Sequence, residues 1–278
     1  MDLSWLESLL IGLLSGFTEI LPVSAHTHRL LFLTFTGTQS RAEIMSLIGH
    51  IGALLAVLLC CAPQISRLRR EKKIASKRSL RNKRQPNQEA LMDLKFLRTA
   101  SVPLILSFVI SLALRESVSW LCFSAVTMMV NAILLYIPPY FPRSNKSSLA
   151  VSGLDGLLLG LSMALSGVPG VSSMAVGISV GQLRGLDREY LTDILLLLMI
   201  PVIALYILAD LIAIIILGGV AITASLVISV ILVLLTSFAG AYLGVQVIRF
   251  LAVKAGFSGF SGYCLGAALF TFILYLLI

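Results

Sequence analysis

The chain has 278 residues, of which 58% are hydrophobic and 12% charged, and carries a formal net charge of +8. Its mean hydropathy is +0.99, and soluble domains carry about 25% charged residues, so a soluble globular fold is excluded and an integral membrane protein is expected. The positive balance does not point to nucleic acid, because residues 67–98 hold twelve of the 21 Lys and Arg and three of the 13 acidic residues. That stretch has a net charge of +9 and leaves the rest at −1. It also lacks the interleaved aromatics on which single-stranded bases stack.

In chain order, the first apolar run covers 3–23, flanked by Asp2 and Glu7 where a secretion signal would carry Lys or Arg. It is read as a retained segment. Runs long enough to cross a bilayer, about 20 residues each, are drawn at 44–62, 117–137, 149–166, 190–209, 211–236 and 259–278. Shorter runs at 29–37, 101–114 and 169–183 are read as half-helices, and Gly218-Gly219 as a break. The basic segment 67–98 is expected to be a loop with helix potential in its first half. By the positive-inside rule it faces the cytoplasm and touches anionic headgroups. Arg41 and Glu43 then fall on the outer side, as do Arg115 and Glu116, whereas Arg143 and Lys146 return to the inner side. Cys60, Cys61, Cys122 and Cys264 show no metal-ligand spacing and are read as packing residues.

Two short polar motifs interrupt this apolar background at corresponding places. GLLSGFTEILPVSAHTH begins at Gly12 and GLSMALSGVPGVSS at Gly160, and a shift of 148 residues pairs Gly12 with Gly160, Val23 with Val171 and Ser24 with Ser172. Each copy breaks at a Pro and Ser cluster, which survives at membrane depth only against protein or a water-filled cavity. Paired broken segments in two halves point to a binding site between inverted repeats. The expected fold is an all-α polytopic bundle, one domain of two intertwined halves, 1–148 and 149–278.

Glu19 is an intramembrane carboxylate and therefore a functional candidate, with a pair to Arg29 as its structural alternative. His28 has the pKa range of a nucleophile or proton carrier for a phosphorus substrate. Glu19 with His26 and His28 is a metal alternative, although the spacing matches no metal motif. Pro22, Ser24 and Ser172 lie at the breaks, where hydroxyls and freed N–H groups cradle an anion at helix N-termini. His50 is read equally as a cross-helix hydrogen-bonding group or a functional one. Asp155, Asp193 and Asp210 lie near apolar runs without a motif.

GFTEILPVSAHTH and LDGLLLGLSMALSGVPGVSS resemble the two conserved regions of the bacterial undecaprenyl-diphosphate phosphatases. HIGALLAV, GLDREYLTDILLLLMIPVIA and AYLGVQVIRFLAVKAGFSGFSGY resemble the same family in order and spacing, so the likeness covers nearly the whole chain. The resemblance implies a polytopic helical bundle of two inverted repeats, each with a re-entrant hairpin, and removal of the terminal phosphate of undecaprenyl diphosphate in the plasma membrane, with a Mg2+ or Ca2+ ion. Its partners would be that polyprenyl lipid and the surrounding membrane lipids, a homodimer being one assembly it allows, and its site would open outward.

Carried over residue by residue, Glu19 and His28 become the catalytic pair, with Glu19 also a metal ligand. Ser24, Arg29, Gly170, Ser172 and Ser173 would hold phosphate, Arg29 standing in for a lost arginine. The family's first Glu falls on Ser15 and its Arg on Ser173. Further positions fall on Ala25, His26, Thr27, Met174 and Gly177. A silent binder or transporter of polyprenyl phosphate is the alternative from another class.

Overall fold

The computed structural model describes residues 4–38, 42–77, 85–114, 120–141, 145–216 and 223–278. Arg41, Arg115, Glu116, Arg143, Gly218-Gly219 and the 78–84 part of the basic segment lie outside them. The described residues form eleven α-helices and no strand: α1 (Trp5–Ile20), α2 (Ala25–Thr36), α3 (Ala42–Lys77), α4 (Gln88–Ser101), α5 (Ile105–Leu114), α6 (Trp120–Tyr136), α7 (Gly153–Ala164), α8 (Ser173–Leu183), α9 (Arg188–Ile216), α10 (Ala224–Lys254) and α11 (Gly259–Leu277). Among the described residues, six stretches are long and apolar enough to cross a membrane: Ala42–Ser76, Gln88–Leu114, Leu121–Tyr140, Arg188–Ile216, Ala224–Lys254 and Gly259–Leu277. The chain is a multi-pass membrane bundle.

Three expected boundaries change. The run 211–236 is not one crossing, since α9 continues to Ile216 and a new span begins with α10 at Ala224. The run 149–166 does not cross: α7 has 12 residues, about 18 Å at 1.5 Å per residue, against a hydrocarbon core of about 30 Å. After a 3-10 turn at Leu165–Gly167 the chain reverses into α8, which has 11 residues. The run 101–114 is instead the second part of the Gln88–Leu114 crossing, where Pro103 interrupts the ladder without ending the span. The basic segment is also less of a loop than its polarity suggests. α3 continues through Lys77 and α4 starts at Gln88, because Ala, Lys, Arg and Glu are good helix formers. Arg67 pairs with Asp93 at 3.0 Å and Glu71 accepts from the Asn87 N–H at 3.0 Å, which ties the two helices together.

Small residues set the closest packing. A Cβ at Gly12 would lie 2.7 Å from the Val233 carbonyl, and one at Gly16 would overlap the Ser237 carbonyl. From the other side, Gly240 and Gly244 abut Leu13, Phe17 and Ile20, so α1 lies alongside α10 in the same direction. This small-xxx-small contact suits lipid, where association depends on van der Waals contact. Gly156, Gly160 and Gly167 in turn abut Phe96, Ala100 and Ser107, so α7 runs with α4 and α5.

α3 and α9 are antiparallel, since Gln64 reaches Asp193 near one end and His50 reaches Asp210 near the other. α10 takes the sense of α3, since Ser237 reaches Gly49 near one end and Arg249 meets Asp193, beside Gln64, near the other. α4 begins where Asp93 meets Arg67 and Tyr190 and takes the sense of α9. The hairpins α1–α2 and α7–α8 consequently enter the bundle from opposite ends. Between them lies a core that includes Met163, Met174, Leu191, Leu195 and Met199, while large apolar side chains of α5, α10 and α11 face outward.

Candidate functional site

The two breaks have the same local construction. Ser24 and Ser172 are extended N-cap residues whose hydroxyls accept from the backbone N–H three residues on, Thr27 at 3.1 Å and Ala175 at 3.3 Å. The 148-residue shift read from sequence thus corresponds to one capping geometry used twice. The breaks touch through the Ser172 hydroxyl and the Leu21 carbonyl, 3.5 Å apart.

Their freed backbone groups find partners on α6 and α11. The Asn131 amide donates to the Gly170 carbonyl at 2.7 Å and accepts from the Ser172 N–H at 3.1 Å. Thr127 donates to the Pro169 carbonyl at 2.9 Å, and the Cys264 thiol lies 3.6 Å from the Pro22 carbonyl. Gly170 is required twice over, by a φ of 87° and because a Cβ there would overlap Thr127 Oγ1. Broken backbone at membrane depth is satisfied by protein, as it must be.

A cavity of ≈ 240 Å³ opens where the breaks meet. Glu19, Arg29, His50, Ser166, Gly170, Ser172, Ser173, Tyr206 and Asp210 line it, with His26 and Glu43 on the same wall. Four buried charged or titratable groups form a chain. Arg29 approaches Glu19 at 3.4 Å and His50 Nε2 at 3.2 Å, Glu19 lies 3.5 Å from the same nitrogen, and His50 Nδ1 lies 2.7 Å from Asp210. A carboxylate only accepts, so His50 Nδ1 donates to Asp210, while Nε2 lies between the Arg29 guanidinium and the Glu19 carboxylate. Removing one member would strand a buried charge, which costs about 3 to 5 kcal/mol for a buried pair.

The expected site residues separate into two groups. Glu19, Arg29, Gly170, Ser172 and Ser173 share the cavity. Ser24 is buried in its capping role. His28 is not among the cavity residues: its Nδ1 meets the Ser24 carbonyl at 2.6 Å, its Nε2 meets the Tyr263 hydroxyl at 2.6 Å, and the rings stack 5.8 Å apart. Both ring nitrogens are engaged. Ser15 is buried with its Cβ 3.2 Å from the place of a Cβ on Gly49, so the family's first Glu position faces α3 instead of the cavity. At the family's Arg position, Ser173 meets the Tyr206 hydroxyl at 3.2 Å, and that hydroxyl also lies 3.0 Å from the Ser166 carbonyl.

The residues do not fit a resident Mg2+ or Ca2+ ion. Among the described residues no three His, Cys, Asp or Glu side chains come together as a cage, Glu19 is engaged by Arg29 and His50, and Asp210 is turned to the other edge of His50. The reading of Glu19, His26 and His28 as one metal site finds no such cluster.

Sequence reading left Asn131, Tyr206 and Tyr263 without a part, and gave His50 and Asp210 no partner. The available signal was an acid and a histidine in two different apolar spans, since intramembrane ionisable groups pair with one another.

The chain matches the family model "Bacitracin resistance protein BacA" over residues 8–270. It is 30% identical over 203 residues to the undecaprenyl-diphosphatase of Marinobacter nauticus, covering 72% of this chain and 73% of that protein. Undecaprenyl-diphosphatase 2 of Streptomyces avermitilis is 30% identical over 215 residues, covering 72% of each. The undecaprenyl-diphosphatase of a Nocardioides species is 29% identical over 206 residues, covering 71% of each. With a match running through both hairpins and all six spans, this chain belongs to the bacitracin resistance protein BacA family.

Proposed function

We propose that this chain hydrolyses undecaprenyl diphosphate to undecaprenyl phosphate and inorganic phosphate, returning a lipid carrier to cell-wall synthesis. The observation that carries the reading is the small cavity at the junction of two helix breaks, where Arg29, Ser172 and Ser173 stand among apolar walls. Its volume of ≈ 240 Å³ is below the roughly 300 to 1,000 Å³ of drug-sized pockets, which suits a diphosphate headgroup whose prenyl chain stays in lipid. The N-terminus of α8 presents unpaired N–H groups and a positive dipole end to an anion there. Arg29 exchanges Glu19 for phosphate oxygens, and charged hydrogen bonds to phosphate are among the strong ones. Glu19 stays beside it and aligns the guanidinium. His28, locked between the Ser24 carbonyl and Tyr263, positions α2 against α11. No metal ion enters the scheme.

The two halves are read as an inverted pair, in keeping with hairpins that enter from opposite ends. The basic end, 67–98, faces the cytoplasm of a plasma membrane and rests on anionic headgroups. The cavity is lined by Ala42, Glu43 and Ser46 at the start of α3 and by Asp210 late in α9, at the opposite end from Lys77, so it opens to the outer face. A homodimer is compatible with this arrangement.

Phosphate release from undecaprenyl diphosphate by purified protein is the test, with Arg29→Met alongside. Loss of a transition-state donor costs about 100- to 1,000-fold in rate, and that is the expected drop. Tight binding of the lipid by the wild-type protein without phosphate release would refute the hydrolase reading in favour of a silent carrier.

A further inference from the structure

We propose that His50 is the catalytic base of this chain and Asp210 its positioning residue, an inference that rests on the hydrolase reading of the same cavity. His50 Nδ1 is 2.7 Å from the Asp210 carboxylate, which fixes both the ring and the tautomer. Nε2, on the other edge of a ring that lines the cavity, is approached by Arg29 at 3.2 Å and by Glu19 at 3.5 Å. An imidazole oriented by a buried carboxylate on one edge, and on the other meeting an arginine that a phosphate group can draw away, is the arrangement a proton acceptor needs. His28 does not offer it, because it is not among the residues that line the cavity and its ring is held by the Ser24 carbonyl and Tyr263.

When Arg29 turns to the diphosphate, Nε2 is released at the spot where a water would approach the terminal phosphorus. That water forms the new P–O bond and gives its proton to Nε2. The bond from the terminal phosphorus to the bridging oxygen breaks, and its electron pair leaves with undecaprenyl phosphate. His50 then returns the proton to the departing phosphate, so atoms and charge balance without a co-reactant.

The groups facing His50 are Glu19 of α1, Arg29 of α2, and Tyr206 and Asp210 of α9, with Tyr206 stacked obliquely at 5.4 Å between ring centroids. His26 of α2 and Glu43 of α3 line the same cavity. The acid limb of the pH-rate profile therefore reports the cluster and is expected to move when Asp210 is changed.

The test uses the full-length protein with undecaprenyl diphosphate. His50→Asn keeps an N–H near the place of Nδ1 and removes Nε2. Phosphate release is expected to fall about 100- to 10,000-fold with KM within threefold. Asp210→Asn is expected to lower kcat at unchanged KM and to shift the acid limb, and Asp210→Glu to recover part of both. Turnover within threefold of wild type in a folded His50→Asn protein overturns the proposal. If that variant does not fold, an Asp210→Asn profile superimposable on the wild type overturns it instead. A wild-type protein without turnover refutes the hydrolase reading and this proposal with it, whereas wild-type turnover that is indifferent to His50 removes only this proposal.

Discussion

Asn131 offers the sharpest test of how the second break is held. It is fully buried on α6, and its amide closes two hydrogen bonds to the same break, 2.7 Å to the Gly170 carbonyl and 3.1 Å from the Ser172 N–H. In Asn131→Ala both backbone groups lose their partner, each at a cost of about 1 to 3 kcal/mol. Because Gly170 and Ser172 border a cavity from which water can enter, the low end of the summed range applies, about 2 to 3 kcal/mol. The functional loss should be larger than this implies, since a misplacement of about 1 Å in a substrate-positioning group can cost about 100-fold.

Asn131→Asp separates the two bonds. It keeps an acceptor for Ser172 but turns a carboxylate oxygen toward the Gly170 carbonyl, so it should be worse than alanine on both counts. Thermal unfolding in detergent followed by size-exclusion detection measures the first effect, and phosphate release from undecaprenyl diphosphate the second. An Asn131→Asp protein with wild-type melting temperature and turnover would refute the claim that this side chain holds the break.

Two further outcomes concern packing and pH. Gly16→Ala is expected to destabilise the protein by about 1 to 3 kcal/mol, as overpacking does, because the new methyl overlaps the Ser237 carbonyl. Gly262→Ala, with nothing within 4 Å of its Cβ, should leave the melting temperature unchanged, and equal effects would argue against the α1–α10 contact. Asp155 caps α7 at its outer turn, away from the spans. Burial works to raise its pKa, but the Ser152 N–H and hydroxyl together with Arg184, 2.6 Å away, outweigh it and hold the carboxyl below its usual range. The stabilisation is then present above the unfolded-state pKa of about 3.9 and is lost as pH falls through the lower folded-state value. Asp155→Asn should flatten the acid side of the melting-temperature profile, and an unaltered profile would remove Asp155 from the account.

Local chemistry was readable in the sequence wherever backbone and side chain act within a few residues. The Pro and Ser clusters, the serine caps and Glu19 in an apolar run each announce themselves at short range, and the structure places both breaks where the 148-residue shift put them. The boundaries that moved were decided by length and tertiary contact. The break at 168–172 is visible, but nothing in 149–166 says that the arm before it stops short of crossing, and nothing in 101–114 says that α4 precedes it in the same span. Site chemistry was hidden in a similar way. His50 and Asp210 are 160 residues apart, and Asn131 lies 41 residues before the Ser172 it supports. Arg29 could be read as a cation near Glu19, but its second contact, to His50, belongs to the packing of α2 against α3.

The contact between α1 and α10 also bears on the order in which the molecule is assembled. α1 leaves the ribosome about 200 residues ahead of α10, yet the carbonyls against which Gly12 and Gly16 rest belong to α10, which does not begin until residue 224. Asp210 likewise arrives late, on α9. Through most of synthesis, Glu19 and Arg29 therefore sit in a hairpin whose permanent wall has not been made, and they can neutralise each other before anything else shelters them. A product that terminates ahead of α10 would leave a charged hairpin in lipid with its glycine stripe uncovered, a form that membrane quality control can distinguish from the finished protein.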